Sequence, residues 1–92
     1  MALDAEIILE RIRRIPEGFV ATYGDVSPGA PRVAGRVLSQ ATDDVPWWRV
    51  VRSDGTWFGG ERQKALLMEE DVPIRGRRVN LDEARVPPEG LN

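Results

Sequence analysis

The 92-residue chain has no cysteine and no histidine. Without cysteine there is no disulfide, no thiolate metal ligand and no sulfur nucleophile, and redox chemistry says nothing about the compartment. Without histidine the commonest general base and the commonest metal ligand are lost together, which argues against metal-assisted hydrolysis and against Ser-His or Cys-His catalysis. No apolar run approaches the ~20 residues of a membrane span, and the N-terminus has no basic segment leading into a long apolar one. The expectation is a cytoplasmic protein with no membrane partner, nucleoid-associated in a bacterium or nuclear in a eukaryote. No Walker-type loop, dinucleotide fingerprint or internal repeat occurs, so no cofactor is expected. A chain of this length suits one domain spanning residues 1–92.

Lysine is nearly missing as well: twelve of the thirteen basic residues are arginine. The net charge of −2 argues against a nucleic-acid partner at first sight, because nonspecific affinity comes from cations meeting phosphates. Residues 32–64, however, carry six basic against four acidic side chains, and the flanks are net negative. Arginine suits bidentate, stacked or groove-inserted contacts better than diffuse charge. Ordinary solvated salt bridges are the competing reading.

Among the elements, Leu3, Ile8, Ile12 and Ile15 fall on one stripe with Ile7 close to it, which predicts a helix from about Asp4 to Arg14, stopped by Pro16. Phe19 to Ala21 reads as a short extended piece. Thr22 with Asp25 three residues on resembles a capping box, so Tyr23 to Val26 is expected as one helical turn before SPGAP. Pro31 suits the first position of a helix running to about Ala41. In that helix Val33, Ala34, Val37, Leu38 and Ala41 share one side, and Arg32, Gly35, Arg36, Ser39 and Gln40 the other. A short helix, a Gly/Pro turn and a second helix led by arginine resemble a helix-turn-helix, a pattern that many solvated helices also share.

The segment Val45 to Val51 reads as an extended apolar run, with Trp47 and Trp48 pointing to opposite sides, followed by an Asp-Gly turn at Ser53 to Thr56. Four of the six aromatic residues lie between Trp47 and Phe58, which fits an aromatic-lined pocket as well as a core. Residues 61–71 have high helix propensity and end at Val72-Pro73. In the tail, Val79 and Leu81 alternate as in a short strand, and Arg75, Arg77, Arg78 and Arg85 surround a glycine turn. The core is expected over about residues 4–75, with 76–92 a C-terminal arm over it or a small wing touching a phosphate backbone.

Read in order, TYGDV, PRVAGRVL, VPWWRVVRSDGT and GGERQ resemble the C-terminal DNA-binding domain of O6-alkylguanine-DNA alkyltransferases, whose reactive segment is Pro-Cys-His-Arg-Val. With Trp47 at the cysteine position the chain resembles the alkyltransferase-like proteins. The likeness covers about residues 4–75 and implies a mainly α fold with a few short strands, a winged helix-turn-helix-like domain.

The same resemblance implies roles. Arg32 matches the arginine finger that enters the minor groove and fills the gap left by a rotated guanine, and Tyr23 matches the tyrosine that crowds the neighbouring phosphate. Ala34 and Gly35 match the small residues that let the helix press into the groove. Arg36 and Ser39 complete the expected DNA-binding set. The expected lesion pocket is Tyr23, Trp47, Arg49, Val50, Trp57 and Phe58. Tryptophan offers no soft lone pair for alkyl transfer, so the resemblance implies a non-enzymatic, monomeric sensor of O6-alkylguanine in duplex DNA, with nucleotide excision repair proteins as partners. A transcriptional regulator and a degenerate protein-interaction module are the alternatives. Three departures stand out: the Tyr23–Arg32 loop is short, Trp48 replaces the usual histidine, and Trp57-Phe58 match neither the usual lid tyrosine nor the pocket arginine of some relatives.

Overall fold

The computed structural model describes residues 4–41 and 44–92. Helix α1 (Ala5–Arg13) begins where the Asp4 carboxylate accepts the Glu6 N–H at 2.9 Å. It buries Ile8, Leu9 and Ile12, and Ile15 follows into the same core. The expected stripe is thus rotated by a fraction of a turn: Leu9 is buried, whereas Ile7 stays 45% exposed. Leu3 lies outside the described residues.

Strand β1 (Ala21–Thr22) pairs in parallel with β2 (Val50–Val51), Ala21 opposite Val50 and Thr22 opposite Val51. Two residues of pairing suffice to clamp the tryptophan segment beside the start of the helix-turn-helix. Thr22 then caps α2 (Tyr23–Val26) in a reciprocal box with Asp25, at 3.1 and 3.2 Å, as the sequence predicts. Arg85 holds the outer side of Asp25 through two bonds of 2.9 and 2.6 Å. In the turn, Ser27 donates its hydroxyl to the Ala30 carbonyl at 2.7 Å, and Gly29 takes a φ of 78°. Pro31 opens α3 (Pro31–Gln40), which lays Ala34, Val33, Val37 and Leu38 against the core.

Helix α4 (Gly60–Glu69) ends a little before the expected residue 71, because Asp71 turns to φ 60° ahead of Val72-Pro73. A small antiparallel wing follows: β3 (Ile74–Arg75) and β4 (Arg78–Val79). The Val79/Leu81 alternation does not continue as a strand, since Leu81 starts a helical turn, α5 (Leu81–Ala84). The tail is structural as well as a cover. Val20 N–H donates to the Ala84 carbonyl and Val86 N–H to the Val20 carbonyl, both at 2.9 Å, and Leu91 is buried against α1 and its neighbours. Val79 and Ala84 sit in a second apolar cluster with Val20, Val51, Leu67 and Val72.

Candidate nucleic-acid interface

Trp47 to Arg49 form a 3₁₀ turn rather than the expected extended segment. Pro46 is fixed at a φ of −76° and its carbonyl accepts the Arg49 N–H at 3.0 Å, which closes the turn. The two indoles therefore stand perpendicular, at 89° and 6.0 Å between centroids, instead of on opposite faces of a strand. Trp47 faces a cleft. Trp48 turns inward, where its Nε1–H donates to Glu70 at 3.0 Å and its ring packs on the second cluster.

Arg49, expected in the pocket, belongs to this inner network. It donates Nε and Nη2 to the two oxygens of Glu70 at 2.9 and 2.7 Å, and Nη1 to the Ile15 carbonyl at 2.9 Å. Burial alone pushes the Glu70 carboxyl upward, but the bonds from Arg49, Trp48 and Gly18 together outweigh it and hold the group below its usual range. Val50 is likewise corrected to the core, fully buried in β2, and Trp57 packs on the second cluster. In each case a neighbouring element claims the side chain: Glu70 of α4 for Arg49, the β1–β2 pairing for Val50, and the wing side for Trp57.

The remaining pocket residues do converge. Tyr23, Trp47 and Phe58 wall a cleft of about 430 Å³, closed on one side by Gly35, Leu38 and Ser39 of α3 and on the other by Gly59 and Gln63. Gln63 is 2% exposed and fully engaged, donating Nε2 to the Trp48 and Val50 carbonyls and accepting the Gly59 N–H. A Cβ on Gly59 would come within 2.8 Å of the Trp47 ring, so glycine is what lets α4 approach it. Sequence reasoning missed Gln63 and Gly59; the usable signal was that Gln63 lies one turn before Leu67 on the buried face of α4.

A second cleft of about 400 Å³ adjoins the first, sharing Tyr23, Gly35 and Phe58, and adding Pro31, Arg32, Arg36 and Arg52. Phe58 stands between the two, 68% exposed, edge-on to Tyr23 at 6.0 Å and capped by the Arg52 guanidinium at 3.6 Å. Burial raises the Tyr23 phenol above its ordinary value, against the opposing pull of Arg52, so its hydroxyl is a neutral donor at pH 7. Ala34 is buried in the core and touches neither cleft, whereas Gly35 lines both. The expected DNA-binding residues Arg32, Gly35, Arg36, Ser39 and Tyr23 thus share one face.

Among the described residues, Arg32, Arg36, Arg52 and Arg62 make no ion pair, while Arg49 and Arg85 are tied to carboxylates. Arg62 instead lies 5.6 Å over the Trp47 ring. No cluster of potential metal ligands occurs among the described residues. The one hydroxyl lining the Trp47 cleft besides Tyr23, that of Ser39, donates to the Arg36 carbonyl. The arrangement can stack a flat aromatic group between apolar walls while free cations hold an attached anion.

Comparison with known proteins gives three findings. Residues 5–72 match the family described as the 6-O-methylguanine DNA methyltransferase, DNA binding domain. A DNA base-flipping protein of Escherichia coli (strain K12) is 41% identical over 76 residues, 71% of this chain and 59% of that protein. A methylated-DNA–protein-cysteine methyltransferase of Methanopyrus kandleri is 38% identical over 79 residues, 74% of this chain and 59% of that protein. The chain therefore spans less than two thirds of the length of these curated relatives. Among solved structures, S. pombe Atl1 in complex with damaged DNA containing O6-carboxymethylguanine superposes with a TM-score of 0.83 at 30% identity, over 96% of this chain and 100% of that one.

Proposed function

The chain belongs to the family of 6-O-methylguanine DNA methyltransferase DNA-binding domains, and from that premise we propose that it is a non-enzymatic sensor of O6-alkylguanine in duplex DNA. It lays α3 into the minor groove, rotates the damaged base into the cleft walled by Trp47, Tyr23 and Phe58, and places the Arg32 side chain in the vacancy. One observation carries this reading: an aromatic cleft opens directly beside Arg32 and Arg36 of α3, which make no ion pair among the described residues. The relative named for base flipping, and the Atl1 complex with damaged DNA, support it.

The energetics are consistent. Extruding a base costs a few kcal/mol, least for a damaged pair, and aromatic stacking returns roughly 1–3 kcal/mol per base. A guanidinium stacking and hydrogen-bonding in the gap offsets more of the cost. Minor-groove contact discriminates little among sequences, which suits inspection for a lesion in any context. The neutral Tyr23 hydroxyl can donate to the phosphate beside the rotated nucleotide.

Alkyl transfer is not part of the proposal. An SN2 transfer of this kind needs a soft deprotonated sulfur, the sequence has no cysteine, and the Trp47 indole nitrogen has no available lone pair. Bound to its lesion as a monomer, the protein marks the site for nucleotide excision repair. The test is to incubate it with a duplex carrying one O6-methylguanine and weigh both components. Preferential binding with no change in the mass of protein or DNA is expected. A protein heavier by one methyl group would contradict the sensor reading.

A further inference from the structure

The wing has two flanks of different charge. Its register sets Arg75 opposite Arg78, and like charges facing across a hairpin are destabilising unless balanced. On that flank they are balanced, since Asp54, Asp82 and Glu83 line the same groove. The other flank is not. Arg77 at the turn, Lys64 of α4 and Arg52 line a groove of about 590 Å³ floored by Trp57, and Glu61 is the only carboxylate among its lining residues. None of these three cations makes an ion pair among the described residues.

The wing as a whole is braced against the turn that follows β2. Val79 N–H donates to the Gly55 carbonyl at 2.9 Å, and Gly55, at φ 89°, leaves no room for a Cβ, which would come within 2.6 Å of the Val79 carbonyl oxygen. Arg52 belongs to both surfaces: it lines this groove and the cleft of Arg32 and Arg36. Its guanidinium is held by the Phe58 ring and by a bond of 3.3 Å to the Thr56 hydroxyl. A cationic track therefore runs from the first turn of α3, through Arg52, to the tip of the wing.

We infer that Lys64 and Arg77 form a second phosphate-binding surface, which carries the DNA backbone past the lesion cleft along this track. The inference rests on the DNA-binding reading but not on lesion recognition. Charge complementarity and continuity with the cleft single out a nucleic-acid backbone, because a row of three cations lined by a single carboxylate gains from releasing the counterions of a polyanion.

The experiment is anisotropy of labelled duplexes, with and without one O6-methylguanine, between about 50 and 200 mM salt. Lys64→Ala and Arg77→Ala should each lower the slope of log affinity against log salt by about 0.9. Both duplexes should weaken by the same severalfold factor, leaving the lesion preference unchanged. Arg75→Ala, on the balanced flank, should leave the slope as it is, and thermal melts should show all three variants folded. Unchanged slopes for Lys64→Ala and Arg77→Ala would overturn the inference, as would an equal effect of Arg75→Ala. Failure of the sensor reading looks different: the wild-type protein would bind both duplexes equally while the slope changes persisted.

Discussion

Trp47 has one side of its ring committed to the protein, against Gly59 and beneath Arg62, and the other open to the cleft. Removing the indole should therefore widen the pocket, at a cost in stability because Trp47 also packs on the first core cluster. Trp47→Ala is expected to weaken binding by about 1–3 kcal/mol, most for bulky alkyl groups, as read by anisotropy across O6-methyl, O6-butyl and O6-benzyl guanine. Identical losses for all three would remove Trp47 from the pocket. Gly35 separates stability from binding. No atom of another element lies within 4 Å of a Cβ built there, so Gly35→Ala should raise helix stability by about 0.5–1 kcal/mol. Because both clefts use Gly35, the same methyl should reduce DNA affinity, and a melt paired with a titration reads the two opposite signs.

Short elements position the aromatic wall of the site. The one-turn α2 fixes Tyr23 through its Thr22/Asp25 box, the two-residue β1–β2 pairing brings Val50 alongside, and the 3₁₀ turn aims Trp47. At the other wall, Gly59→Ala should cost about 1–3 kcal/mol, because its Cβ would meet both Gln63 and Trp47 inside 3.0 Å. A lowered melting temperature checks this, and an unchanged one would mean that the α4 start can retreat. Elements with local signals were legible in the sequence: the capping box, Pro31 at the head of α3, and the arginine face of that helix. Arg49 and Trp48 were not, because their partner Glu70 lies 21 and 22 residues away and nothing local announces the pair. The 3₁₀ turn was hidden for a related reason, since Val45 to Val51 has strand-like composition and Pro46 alone opposes it. Leu81 was misplaced because a two-residue strand leaves no periodicity to read.

Over the whole molecule, the carboxylates and cations are used for different ends. The net charge is −2, yet among the described residues Arg32, Arg36 and Arg52 on the cleft face and Arg77 at the wing tip make no ion pair, while Glu70 and Asp25 hold the scaffold. Burial raises both carboxyls, but the bonds from Arg49 and Trp48 to Glu70, and from Arg85 and Thr22 to Asp25, outweigh it and leave each below its ordinary value. Groups lowered on folding stabilise the protein above their unfolded values and lose that contribution as pH falls through the folded ones. Stability should hold from pH 7 to about 5 and decline below about pH 4. Glu70→Gln should cost about 3 kcal/mol at neutral pH and flatten the acid limb; denaturant melts against pH report both effects. The central claim, that the Trp47 cleft receives a rotated alkylguanine while Arg32 fills its place, is tested most directly by anisotropy at fixed salt. Matched duplexes with and without one O6-methylguanine would be titrated with wild-type protein and with Arg32→Ala. The account predicts tighter binding of the damaged duplex by the wild type and loss of most of that preference in Arg32→Ala; equal wild-type affinity for the two duplexes would contradict it.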